Sequence, residues 1–397
     1  MKEGWTYKKL GEIATEMYRG SGIKRDQITA TGCPCVRYGE IYTTYNIAFE
    51  KCVSRTIEDN INPRKYFEHG DLLFAITGES VEDIGKTIAY IGHEKCLLGG
   101  DIVCMKHKEN PKYLSYALSS REAIKQKGLG KTKLKVVHTS IPSLQQIVIP
   151  IPPLSEQRSI VARLDAAFSG IDSLKANAEK QLNEARQIFQ AELTECMRPK
   201  EEWEEKMLKD IVDEECPISY GIVQQGNHVE GGVPVVRPID LSKKFVSREG
   251  LKCTEESISS AYKRTILKGY ELLLSVRGTT GVIALAKKDL LGCNVNRGIV
   301  PLYFKDIIER DFAYYEMLSP TLQKVFAEKT TGSTLKQINI KDLRLIKLSY
   351  PSIGSQRRIV ARLDSLSAKV KQLEDVHRKT LAECDALKQA MLREVFE

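Results

Sequence analysis

The 397-residue sequence has no run of about 18 apolar residues, which excludes an ordinary membrane-spanning helix. Its opening, MKEGWTYKKL, lacks the apolar stretch of a signal peptide, so a cytoplasmic location is expected. Ten cysteines are present, yet there is no C-x2-C pair, and no compact Cys/His cluster follows Cys33-Pro34-Cys35. That spacing excludes the usual zinc sites and predicts free, mostly buried thiols in a reducing compartment. The six histidines (His69, His93, His107, His138, His228 and His377) are scattered, and none stands with a Ser or Cys partner in a nucleophile arrangement. Pro152-Pro153 lies between Ile151 and Leu154, so the Asn/Asp-Pro-Pro-aromatic motif of amino-methylating enzymes is missing. Gly130-Lys131-Thr132 resembles the end of a phosphate-binding loop, but Lys125 stands where the first glycine belongs. Asp71, Glu79, Glu82 and Lys86 could suggest a nuclease, yet the second half does not repeat the set. No catalytic residue and no metal ligand is assigned.

What is present is ordinary in bulk and unusual in order. Hydrophobic residues make up 42% and charged residues 28%, enough for about two to four folded domains. The formal charge is +8 and the pI about 8.8, a basic excess that suits a nucleic-acid partner.

The chain is written twice. Residues 157–165 read QRSIVARLD and residues 356–364 read QRRIVARLD, eight of nine positions matching at an offset of 199. The apolar register continues without a gap, Leu164 with Leu363, Ile171 with Val370, Leu174 with Leu373, Leu182 with Leu381, Ile188 with Leu387. Upstream the echoes are weaker: Trp5, Leu10 and Ile13 match Trp203, Leu208 and Ile211, and Pro34-Cys35-Val36-Arg37 matches Pro234-Val235-Val236-Arg237. Duplication with divergence of the first 150 residues of each half accounts for this pattern.

The segments at about 155–197 and 355–396 predict long helices. No proline lies inside either, and apolar residues recur every three or four positions, as in a coiled-coil seam. Pro152, Pro153 and Pro351 stop the preceding strands, with Ser155 as N-cap. A helix of about 42 residues is about 63 Å long, and an apolar stripe of that length needs cover. Its own copy in the other half is the expected partner, ahead of a dimer between chains. The segments 1–150 and 201–350 read as mixed and strand-rich. Short apolar runs at 71–77, 146–149 and 271–276 are bounded by Gly and Pro, and helices are expected at 111–127 and 307–329.

At this point the sequence resembles the specificity (S) subunits of type I restriction-modification systems, over essentially its whole length. The marks are Pro152-Pro153-Leu154-Ser155-Glu156-Gln157 leading into Ile160-Val161 with its second copy at Gln356, and the opening Trp5-x4-Leu10-Gly11-Glu12-Ile13. Arg37-Tyr38-Gly39-Glu40-Ile41 and Gly70-Asp71-Leu72-Leu73 add to them. The second copy departs at Gly354-Ser355-Gln356, where Glu156 has no carboxylate counterpart. The resemblance implies an α+β chain of two target-recognition domains (1–150 and 201–350) and two helical spacers (151–200 and 351–397) pairing as an antiparallel coiled coil with a pseudo-two-fold repeat. It implies a noncatalytic subunit that binds double-stranded DNA, two modification subunits and restriction subunits, and no membrane. S-adenosylmethionine, and ATP with Mg2+, would belong to those partners. The helices would set an unread spacer between two unlike half-sites. The competing reading is a coiled-coil scaffold with two protein-binding domains.

Base reading needs donors and acceptors on groove-facing loops, with Arg suited to guanine and Asn or Gln to adenine. In the first half the candidates are Arg19, Ser21, Lys24, Arg37, Tyr38, Thr77, Glu79, Lys133 and Lys135. In the second they are Gln224, Gln225, Arg237, Arg277, Thr279, Asn294, Asn296, Arg297, Lys336 and Gln337. Arg37 and Arg277 rank first, as neighbours of strand ends in regions expected to be equivalent. For docking the modification subunits, Glu156, Gln157, Arg158, Gln356 and Arg357 are expected on the outer helix surface and adjoining proline loops.

Overall fold

The computed structural model describes residues 4–130, 136–333 and 335–397. The chain divides into two compact units, Met1–Glu179 with His377–Glu397 and Lys180–Val376. Each unit takes part of one long helix and part of the other, because the buried side of each segment belongs to that unit's own core.

In the first unit, one five-stranded sheet runs Glu16–Arg19, Ile102–Lys106, Leu72–Ala75, Thr87–Tyr90, Ala48–Phe49. A second runs Ile28–Thr29, Ser54–Thr56, Cys33–Val36, Cys96–Leu98, Tyr66–Phe67. Leu72, Leu73, Phe74 and Ala75 are all buried, so the run is covered on both faces, as an unbroken apolar strand must be. The second unit repeats the plan with fewer strands: Ile283–Leu285, Leu272–Ser275, Ile299–Leu302 in one sheet and Lys252–Thr254, Val233–Val236, Asn294–Val295 in another. Each unit is closed by an antiparallel strand pair, Thr6–Lys9 with Val148–Ile151 in the first and Glu204–Met207 with Lys347–Tyr350 in the second. The prolines that follow each closing strand end it, and a long helix leaves from there.

The expected helices at 111–127 and 307–329 are each broken in two. Pro111–Ala117 is followed by Arg121–Gly128, and Arg310–Leu318 by Pro320–Lys329. Serine makes both breaks: Ser120 Oγ accepts from Ala123 N and Ser319 Oγ from Leu322 N, each a side-chain N-cap. The long helices span Leu154–Cys196 and Ile353–Phe396. Ser155 lies inside the first rather than capping it, and Pro153 O accepts the Gln157 N–H instead. Gly170 does not interrupt the helix.

Within the first unit the two helix segments run antiparallel, with Asp172 paired to Lys388 and Lys175 to Asp385. Within the second, Arg186 pairs with Glu374 at 2.7 Å and Glu192 with Arg362. Leu164, Phe168, Leu392 and Phe396 join the core of the first unit, Leu193 and Leu363 that of the second. The seam is narrower than the periodicity implies, since Leu174, Ile188 and Leu387 are exposed.

The repeated motif explains how each helix is fastened to its own domain. Gln157 is fully buried. Its Oε1 accepts from Asn110 N at 3.0 Å, and its Nε2 donates to Pro152 O and Glu109. Gln356, also fully buried, does the same with Glu309 N, Pro351 O and Ile307 O. At the far end of the motif Asp165 accepts from Tyr116 Oη at 2.8 Å and pairs with Lys112, while Asp364 accepts from Tyr315 Oη and pairs with Lys244. These two clamps hold the apolar positions Ile160, Val161 and Leu164, and their copies, against the domain.

Candidate nucleic-acid interface

Backbone hydrogen bonds put the two domains in register. In the first unit Thr77 faces His138 in an antiparallel strand pair, Thr139 N donates to Ile76 O, and Ile76 N donates to Asp101 O. In the second Arg277 faces Gln337, Ile338 N donates to Val276 O, and Val276 N donates to Gly298 O. So Arg277 stands where the first unit has Thr77, Gln337 where it has His138, and Arg297 where it has Gly100. An entering segment crosses this place in both units, as Ser21 bridges Gly99 and Ile222 bridges Asn296. The crossing is too close for a side chain: a Cβ on Gly20 would lie 2.1 Å from Gly99 O, and one on Gly221 2.0 Å from Val295 O.

In the second unit these elements enclose a cleft of 370 Å³ lined by Tyr220, Val223, Val276, Arg277, Arg297, Gln337 and Asn339. Among the described residues no acidic side chain lines it. Both arginines are half-buried, and among the described residues neither guanidinium has an ion-pair partner. Tyr220 is a fixed wall, its Oη donating to Ile338 O at 3.2 Å and accepting from Ile340 N at 3.3 Å. The first unit has a broader cleft of 740 Å³ whose walls include Gly22, Arg25, Arg37, Tyr38, Gly100 and Asp101. Its chemistry differs. Arg19 is paired to Asp101, and Thr77 Oγ1 is hydrogen-bonded to His138 Nδ1 at 3.0 Å.

Arg277, Arg297 and Gln337 are thus brought together from three separate stretches of sequence, and Arg37 and Tyr38 share the first unit's cleft. Lys24, Glu79, Gln224, Thr279 and Lys336 are exposed, while Gln225 is half-buried and donates to Lys252 O. Lys133 and Lys135 lie outside the described residues. Several expectations are corrected. Arg37, ranked first, is in register with Arg237, and each is held by its own carboxylate three residues on, Glu40 at 2.8 Å and Asp240 at 3.0 Å. Glu40 also accepts from Ser54 Oγ. Asn294 is fully buried, donating to Ser259 Oγ and accepting from Thr265 Oγ1, so it cannot touch a base without unfolding its surroundings. Ser21 is buried with its hydroxyl on Pro63 O, and Asn296 Oδ1 caps Gly298 N. Gln157 and Gln356 offer no surface to a partner. Glu156 is half-buried and accepts from Trp5 Nε1 at 2.9 Å, whereas Arg158 and Arg357 are exposed.

Tyr220 and Asn339 escaped sequence reasoning, and only their place across the cleft reveals them. Two strongly perturbed ionisable groups lie away from both clefts. Burial pushes Lys127 down to about 7 and Glu316 up to about 8. All ten cysteines are free, and Cys35, Cys96, Cys104, Cys216, Cys293 and Cys384 are buried.

Comparison with known proteins agrees with this duplicated plan. The family model described as the type I restriction modification DNA specificity domain matches residues 2–184 and again 200–381. The EcoBI specificity subunit of Escherichia coli is 27% identical over 291 residues, 67% of this chain. The matched region spans 61% of that relative's length. A putative MjaX specificity subunit of Methanocaldococcus jannaschii is 27% identical over 338 residues, 78% of this chain and 75% of its own. A solved structure from work on complex assembly and conformational transition of the type I R-M system superposes with a TM-score of 0.78 at 22% identity, covering 99% of this chain and 98% of its own. The HsdS subunit from Thermoanaerobacter tengcongensis gives 0.57 at 20% identity, with 100% and 97% covered. With both halves matched by the same model, the chain belongs to the type I restriction-modification DNA specificity domain family.

Proposed function

We propose that this chain is the sequence-specificity subunit of a type I restriction-modification enzyme, in which each unit reads one half of an asymmetric, two-part duplex target. The observation that carries this reading is that positions equivalent by strand register hold unlike side chains, Thr77, Gly100 and His138 in the first unit against Arg277, Arg297 and Gln337 in the second. One backbone plan with two sets of side chains suits two different half-sites. The chain does no chemistry. Two modification subunits carry S-adenosylmethionine, and restriction subunits with ATP and Mg2+ join them. Duplication gives two copies of one docking surface, which suits two copies of one partner. Exposed residues that keep their identity between the copies, among them Arg158 and Arg357, belong to that surface. So do the exposed apolar residues at matching positions, Ile188 and Leu387.

The test is DNA binding by the chain with its modification subunits as salt is lowered, on a random duplex. Phosphate neutralisation predicts a linear fall of log affinity with log salt, and Lys24→Ala or Lys336→Ala is expected to lower that slope by about one each where the lysine meets a phosphate. Indifference to DNA at every salt concentration would leave the scaffold reading instead.

A further inference from the structure

We propose that the second unit reads guanine in its half of the target, through Arg277 and Arg297 acting together in the cleft, and that the first unit does not read guanine from the equivalent positions. This rests on reading the units as DNA-recognition domains and adds the base. A guanidinium presents paired N–H donors at the spacing of guanine O6 and N7, the commonest specific contact in the major groove. Three of the other candidate arginines, Arg19, Arg37 and Arg237, are each engaged by a carboxylate. Arg277 and Arg297 differ from these: both are half-buried in one cleft, and among the described residues neither has a carboxylate partner and no acidic side chain lines the cleft. Partial burial without an internal partner leaves donors that gain most from an external acceptor. The neighbouring carboxamides of Gln337 and Asn339 supply both donor and acceptor, which suits a base edge better than a phosphate, where acceptors are of no use. In the first unit Thr77 and Gly100 replace the two arginines, and no guanidinium can act from those positions.

The experiment expresses the full chain with its modification subunits and maps methylated positions by sequencing, for the wild type and for Arg277→Ala and Arg297→Ala. The expected result is that each variant relaxes a guanine in the same half-target, with preference over other bases falling about 10- to 100-fold, while the other half is unchanged. Arg277→Lys and Arg297→Lys keep the charge but lose the fork, and are expected to relax the same positions. Alanine variants that weaken binding evenly with an unchanged target would assign the arginines to phosphate and overturn the inference while leaving the two-domain reading intact. A wild-type complex without a two-part target would overturn both. Trp203, packed against Phe312 in the core of the second unit, reports whether each variant is folded.

Discussion

Replacing Glu316 by glutamine is expected to remove most of the loss of stability that the second unit suffers between pH 4.5 and pH 8. Glu316 sits on the helix Arg310–Leu318 with 3% of its surface exposed, and its Oε2 has no hydrogen-bond partner among the described residues. Burial raises its pKa from 4.5 to about 8, outweighing a lowering hydrogen bond from the Ser349 backbone. The folded state therefore holds the proton where the unfolded state releases it. The neutral carboxyl's contribution is complete below pH 4.5 and is lost as pH rises through about 8. At about 1.4 kcal/mol per pH unit, the loss by pH 8 is on the order of 4 kcal/mol. Glutamine keeps the shape and the acceptor for Ser349 and cannot ionise. The variant should match the wild type at pH 4.5 and exceed it increasingly toward pH 8. Urea unfolding followed by Trp203 fluorescence in a Trp5→Phe background isolates the second unit. It also excludes the opposite contribution of Lys127 in the first unit, whose depressed pKa loses stability as pH falls through about 7. Parallel pH curves for variant and wild type would refute the assignment.

Truncating Leu363 to alanine should cost about 2–5 kcal/mol in the same unfolding measurement, the range for a fully buried leucine whose cavity cannot close. Leu363 has no exposed surface and packs in the core that contains Leu193, Phe312 and Leu343. Leu164, its counterpart, is 1% exposed in the first unit's core. Leu164→Ala should cost a similar amount, read there by Trp5. The contrast is Leu387→Ala: the residue lies on the same kind of helix but is 49% exposed, so the change should stay within about 0.5 kcal/mol. Equal losses at Leu363 and Leu387 would contradict the packing described here.

That contrast marks how far the sequence could be read. Period and repetition revealed both helices, their ends to within two residues, and the duplication that links them. They did not separate covered from open positions. Leu174, Ile188 and Leu387 fit the apolar period as well as Leu164 does, and only the partner surface decides which are buried. A repeated polar residue was equally ambiguous. Gln157 and Gln356 read as surface groups because their partners, Asn110 and Glu309, lie 47 residues upstream. Within the domains, loops of different length shift the offset between equivalent residues. The counterpart of Arg277 is therefore hidden in the sequence, and only strand register sets it against Thr77. The cleft itself, drawn from residues 220, 277, 297 and 337, has no signature along the chain, because it is made by strand pairing between distant segments.

Unlike side chains on one repeated backbone should give unlike half-targets. The most direct measurement is a map of methylated positions across the genome of a host carrying this chain with the proposed modification subunit. The account predicts a two-part target whose halves differ in sequence and are separated by positions that are not read. A single contiguous palindrome, or two identical halves, would contradict it.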